Sequence, residues 1–232
     1  MRRTSMQLAA AVLAGGLAVT ACGSLQLGAA AVTGQGRITS ETLTNQVANL
    51  NAAYRADKVK GVNPQRTRGQ EPQQVLTWLL TFQVFDKLAE LHGINVTSAQ
   101  VQKQLAGLQA QAAQQKVSTG AYVSAAGAVP PDLVPQIGRY FAILSAFENR
   151  LDGGKQPTAQ AKQAALQARV AHAQCLAAKD LSINVNPQYG AYDYATFSVV
   201  PAQSKLAAAS TISPSPKASA SASAKPQLTP PC

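Results

Sequence analysis

Apolar residues recur along this chain at intervals of four, three and four, and no other feature constrains its fold so tightly. Leu43, Val47, Leu50 and Tyr54 follow the pattern, as do Val101, Leu105, Leu108 and Ala112. Leu133, Ile137, Tyr140, Leu144, Phe147 and Leu151 carry it furthest, at 4-3-4-3-4. Such a series lies along one side of a helix with 3.6 residues per turn. On a strand it would scatter over both faces. The spacing therefore predicts a mainly α fold. Aromatics make up only 5% of residues and alanine is abundant, so the core must come from close helix packing and is modest.

Punctuation between the stripes gives the order of elements. Ala29, Ala30, Ala31 and Val32 read as a short strand, with Gly34, Gln35 and Gly36 as a turn. Thr39 or Ser40 then caps the first helix. Residues 61–69 read as a linker; the nearby Lys58, Lys60, Arg66 and Arg68 are most simply solvated surface. A second helix opens near Pro72, a residue suited to a first turn. Its apolar residues Val75, Leu76, Leu79, Leu80, Phe82, Val84, Phe85, Leu88 and Leu91 cover more than one face, which predicts a central position. His92 and Gly93 end it. Residues 117–128 read as a loop, and Pro130–Pro131 opens the fourth helix, which Asp152, Gly153 and Gly154 terminate. A fifth, alanine-rich helix runs from about Thr158 to Lys179. Ser182, Ile183, Asn184 and Val185 alternate like a short strand; Asn186, Pro187, Gln188, Tyr189 and Gly190 form a turn.

The two ends differ in character. Arg2 and Arg3 precede an apolar stretch from Leu8 through Val19. That is the length of a signal-peptide core and falls short of the roughly 20 residues a spanning helix needs. Thr20, Ala21, Cys22 and Gly23 then resemble the bacterial lipobox, which implies cleavage before Cys22 and lipidation of its thiol. Two or more acyl chains, at about 0.8 kcal/mol per buried CH2, make attachment persistent. The other end is rich in Ala, Ser and Pro and cannot offset its ordering entropy. The expected organisation is a signal peptide over 1–21, a lipidated tether over 22–28, a helical domain over 29–200 and a disordered tail over 201–232. The expected location is the extracytoplasmic face of a cell membrane.

The sequence offers no evident catalytic centre. His92 and His172 stand far apart with no second Cys or His beside either, so no metal site is expected. Asp86 and Glu90, flanking Lys87, read as solvated charge. No P-loop and no dinucleotide-binding glycine pattern occurs, and no cofactor is expected. Cys175 is either a buried free thiol or the partner of Cys232, since export permits disulfides. The net charge of +10 favours anionic envelope polymers or lipid headgroups. Its Lys and Arg are dispersed, with no basic run among aromatic platforms, which argues against nucleic acid.

Several segments, taken in order, resemble one known group. They are residues 30–32 with 36–39, the second helix, residues 89–97 (AELHGINVT), the fifth helix and residues 185–190. Together they look like the SurA/PrsA-type N-terminal chaperone domain in the form found in actinobacterial lipoproteins, over roughly residues 28–194. The resemblance implies that residues 30–33 pair with 183–186, joining the ends of five helices in an orthogonal, bundle-like array. This chain has Gln188 where that group usually has Arg, and Tyr192–Asp193 where it has Trp-Asp. The turn formed by Asn186, Pro187, Tyr189 and Gly190 is expected to survive those changes. Many relatives insert a parvulin-type prolyl isomerase domain before the last helix; the stretch around residues 153–157 leaves no length for one here.

The resemblance implies an ATP-independent holdase for unfolded or exported polypeptides. Candidate contacts are Phe82, Phe85, Tyr140, Phe141 and Phe147, each also readable as core, and Tyr122, expected to be exposed in its loop. A structural or adaptor lipoprotein recognising one envelope partner is the alternative, and isomerase activity a further one.

Overall fold

The computed structural model describes residues 28–56, 69–154, 159–202 and 232. Cys22, the signal segment, most of the 61–69 linker and all of the tail except Pro201, Ala202 and Cys232 lie outside these residues. Six helices and five short strands are present among those described. The chain opens with a hairpin, β1 (Ala29–Thr33) and β2 (Gly36–Thr39), and passes directly into α1 (Ser40–Ala56). Then come α2 (Glu71–Leu91), α3 (Ser98–Gln114), α4 (Thr119–Gly127), a 3-10 turn at Pro131–Leu133, α5 (Val134–Asp152) and α6 (Gln160–Asp180). Strands β3 (Asn184–Val185), β4 (Ala191–Asp193) and β5 (Ser198–Val200) follow.

Local chemistry sets the helix starts. The Thr39 hydroxyl accepts the Thr42 backbone N–H at 3.0 Å, which caps α1. Thr97 and Gln100 form a reciprocal capping box at α3: the Thr97 hydroxyl accepts the Gln100 N–H, and the Gln100 side chain accepts the Thr97 N–H at 2.7 Å. Pro72 stands in the first turn of α2, as expected.

One helix more is present than the five expected. Residues 117–128 were expected to form a loop, yet Thr119 to Gly127 are helical. The Ser118 hydroxyl accepts the Ala121 N–H at 3.1 Å, and Ala128 closes the helix in the left-handed region at φ 55°. Nine residues carrying Gly at both ends lack a legible stripe. Burial of Ala121, Val123, Ser124 and Ala125 against neighbouring elements supplies what propensity does not.

The β structure is also larger than a two-stranded join. β1 pairs antiparallel with β3, Ala31 opposite Val185 and Val32 opposite Asn184, so residues 30–33 do meet 183–186. β2 adds on the other side to give the order β2-β1-β3, while β4 and β5 form a separate antiparallel pair. Asn186 ties this end together. Its backbone N–H donates to the Ala30 carbonyl at 2.9 Å and its side-chain amide to the Ala29 carbonyl at 3.0 Å. Its side-chain oxygen accepts the Gln188 N–H at 3.1 Å, an Asx turn. Pro187 follows at the surface, Tyr189 packs half-buried on the core and Gly190 is buried at φ 131°. A Cβ at Gly190 would lie 2.2 Å from the Val200 carbonyl oxygen, so only glycine lets the turn pass β5.

Helix α2 is central. Its Val75, Leu76 and Leu80 join the sheet and α1 in one apolar cluster; its Val84, Phe85 and Leu88 join α5 and α6 in a second. A third cluster, of Val123, Val129, Leu133 and Ile137, packs beneath Trp78, Leu79 and Phe82. Helix α5 lies close on α3, where Gly138 meets the Leu105 side chain. Cys175, buried on α6, forms a disulfide with Cys232, their Cα atoms 5.8 Å apart, so the paired alternative is the one the fold realises.

Candidate functional site

The six candidate aromatic side chains do not form one surface. Phe85 and Phe147 are each 2% exposed within the second cluster, so they are core, out of reach of any partner. Tyr140 is half-buried between them and the surface. Its ring packs edge-on to Phe85 at 4.5 Å and to Phe141 at 5.0 Å. Burial, reinforced by the charge of Glu148, pushes its hydroxyl above the ordinary tyrosine range, so it stays protonated. Phe82, Phe141 and Tyr122 are half-buried and border the third cluster. Tyr122 stands on α4 and is partly covered, where an exposed loop position was expected.

Between α2, α3, α4 and α5 lies a hollow of about 230 Å3. Trp78, Leu108, Tyr122, Val129, Ile137 and Phe141 give it apolar walls. The Tyr122 hydroxyl donates to the Gln111 side-chain oxygen at 2.7 Å, linking α4 to α3 across the rim. Trp78 donates its Nε1 proton to the Gly127 carbonyl at 2.7 Å, linking α2 to the end of α4. Both bonds hold amphipathic rings by their polar ends, and both rings line the hollow. The hollow is thus framed by groups already held in place.

Trp78 was not among the sequence-derived candidates. It sits in a dense apolar run of the sequence, where periodicity alone does not separate it from core leucines. A usable signal did exist: the chain has one tryptophan, four residues before Phe82 and within five residues of Gln73, Gln74 and Thr77. Its ring contacts Phe82 at 5.8 Å and Tyr140 at 6.0 Å. On its other side lies a larger groove of about 450 Å3 between α2 and β5, which shares Trp78 and Gly127 with the hollow.

Several other titratable groups tie elements together. Arg139 pairs with Asp86 at 2.8 Å across α5 and α2, and Lys87 bridges Glu90 and Asp180, each at 3.0 Å. Asp193 accepts the Ala195 N–H and the Thr196 hydroxyl, which hold its carboxyl below the usual range and shape the β4–β5 turn. Arg150 donates to the His92 carbonyl, and the His92 ring packs on Phe147. Among the described residues no group of three or more His, Cys, Asp or Glu could hold a metal ion, and no helix is long and apolar enough to cross a membrane. Set against known proteins, the chain matches no family model, no curated protein and no solved structure, so its function must be argued from its own geometry.

Proposed function

We propose that this chain is an ATP-independent holdase, a lipoprotein anchored through Cys22 that retains unfolded, exported polypeptides at the cell envelope. The observation that carries this reading is the apolar hollow framed by Trp78, Tyr122 and Phe141, a concavity that the bundle's own side chains leave unfilled. A hollow of about 230 Å3 takes one large apolar side chain at a time. Inserting such a side chain contributes about 1.5–3 kcal/mol, and association costs oppose it. Contacts of that size release readily, as a holdase requires, and any exposed Leu, Phe or Met satisfies them.

The order of segments resembling the SurA/PrsA-type domain supports the same reading, together with the β1–β3 join of the chain's ends. Prolyl isomerase activity by an inserted domain has little room: α5 ends at Asp152 and α6 begins at Gln160.

The test is aggregation of two unrelated, chemically unfolded enzymes on dilution, with and without the full chain, beside a prolyl isomerase assay. Delayed aggregation of both is expected, without accelerated cis–trans exchange, and Tyr122→Ala and Leu108→Ala should each weaken the delay. Failure of the unsubstituted chain to protect either substrate would sink the holdase reading. Protection unchanged in both variants would move the client site away from the hollow.

A further inference from the structure

The groove on the far side of Trp78 differs chemically from the hollow. Its lining comes from Gln70, Gln73, Gln74, Thr77 and Trp78 on or beside α2, from Gly127 and Ala128, and from Ser198 through Pro201. None of these residues ionises, in a chain of net charge +10. At about 450 Å3 it is the size of a small-molecule site. A ligand there gains nothing from charge and must instead match amide groups and an indole ring.

A polypeptide could use such a groove by adding a strand to β5, whose outer edge faces α2. That edge has no free N–H donor. Alternation along the strand turns the backbone of positions 199 and 201 away from β4. The Val199 N–H already donates to the Thr77 hydroxyl at 2.8 Å, and Pro201 has no N–H to give. Recognition therefore falls to side chains. Gln70 is exposed and Gln73 half-exposed, one turn apart on the same helix face, and each amide offers two N–H donors and an acceptor oxygen. Trp78 lies eight residues after Gln70 and lines the same groove, its ring held by the bond from Nε1 to Gly127.

We propose that this groove binds a neutral oligosaccharide, with a sugar ring against the Trp78 indole and its hydroxyls paired to the Gln70 and Gln73 amides. A pyranose carries apolar C–H groups on one face and hydroxyls around its rim, which matches a fixed aromatic flanked by neutral donors and acceptors. The assignment shares Trp78 and Gly127 with the hollow but does not rest on the holdase reading, since its glutamines line only the groove and its ligand chemistry is different.

Because Trp78 is the chain's one tryptophan, its fluorescence reports on the groove and on the hollow it also lines, and the variants tell the two apart. The full chain is titrated with maltotriose, mannotriose and tri-N-acetylchitotriose, and with a neutral peptide of Ala and Ser. A saturable change with at least one trisaccharide is expected, weakened about three- to tenfold by Gln70→Ala or Gln73→Ala, the loss of one neutral hydrogen bond. Tyr122→Ala, on the hollow, should leave it unchanged. No response to any trisaccharide, or a response to the peptide alone, overturns the proposal. So does a trisaccharide response that Tyr122→Ala abolishes or that both glutamine variants leave intact.

Discussion

At the scale of single residues, partial burial decides which charges matter. Glu148 is half-buried on α5, and burial, with the nearby Asp152 carboxylate adding to it, raises its pKa. The folded chain therefore holds this proton at pH values where the unfolded chain has released it. Stability falls as pH rises from the ordinary glutamate range through the raised value, and the cost is constant above it. Glu148 and Asp152 are an i,i+4 like-charge pair, worth about 0.2–0.5 kcal/mol and screened toward the surface. Glu148→Gln is expected to raise the melting temperature by about 1 °C at neutral pH. In acid below the glutamate range the two proteins should melt together. Melting curves offset equally at every pH would show that ionisation is not the cause.

At the scale of elements, periodicity and packing divide the explanation. Helices α1, α3 and α5 were legible because their stripes are regular, and the structure buries Leu43 and Leu50, Leu105 and Ala112, and Ile137 and Phe147 from them. The central place of α2 followed from apolar residues too many for one face. Helix α4 was not legible, since Ser118 capping and tertiary burial hold nine residues that have no stripe. The hollow was half legible: Tyr122 and Phe141 line it, but Phe85 and Phe147 turn inward, and sequence spacing cannot show how deep a side chain sits. The α3–α5 contact shows the same limit. A Cβ at Gly138 would lie 2.6 Å from Leu105 Cγ, so a glycine that costs helix propensity is needed for close approach. Gly138→Ala gains about 1 kcal/mol of propensity but overpacks at about 1–3 kcal/mol, and a net loss of about 1 kcal/mol is expected in denaturant unfolding. The double variant with Leu105→Ala should lose less than the two single losses added, because removing the leucine removes the clash. Strict additivity would show that the two side chains do not meet.

At the scale of the whole molecule, several long-range ties gather at the end where the chain enters and leaves its helices. Asn186 holds β3 to β1, the Gly34 N–H donates to the Leu181 carbonyl at 2.7 Å, and β5 lies on α2 through Thr77. The Cys175–Cys232 disulfide adds a covalent tie between α6 and the final residue. Lys179, one helical turn beyond Cys175, donates to the Cys232 carbonyl at 3.1 Å. A crosslink stabilises chiefly by restricting the unfolded chain, with a ceiling near 4 kcal/mol for a loop of this length. The Cys175 side of the loop is anchored by the packing of α6, β3, β4 and β5, whereas the Ala-, Ser- and Pro-rich stretch before Cys232 has little apolar surface to bury. Only part of that ceiling is therefore expected. Peptide mapping of the non-reduced chain should recover the Cys175 and Cys232 peptides linked, and Cys232→Ser should lower the melting temperature by a few degrees at most. A Cys175 thiol that alkylates readily in the unreduced native protein would contradict the pairing. Cooperative unfolding on reduction would instead mean that the crosslink holds the helical core itself, which the packing of Ala173, Ala177 and Ala178 against α2 and α5 argues against.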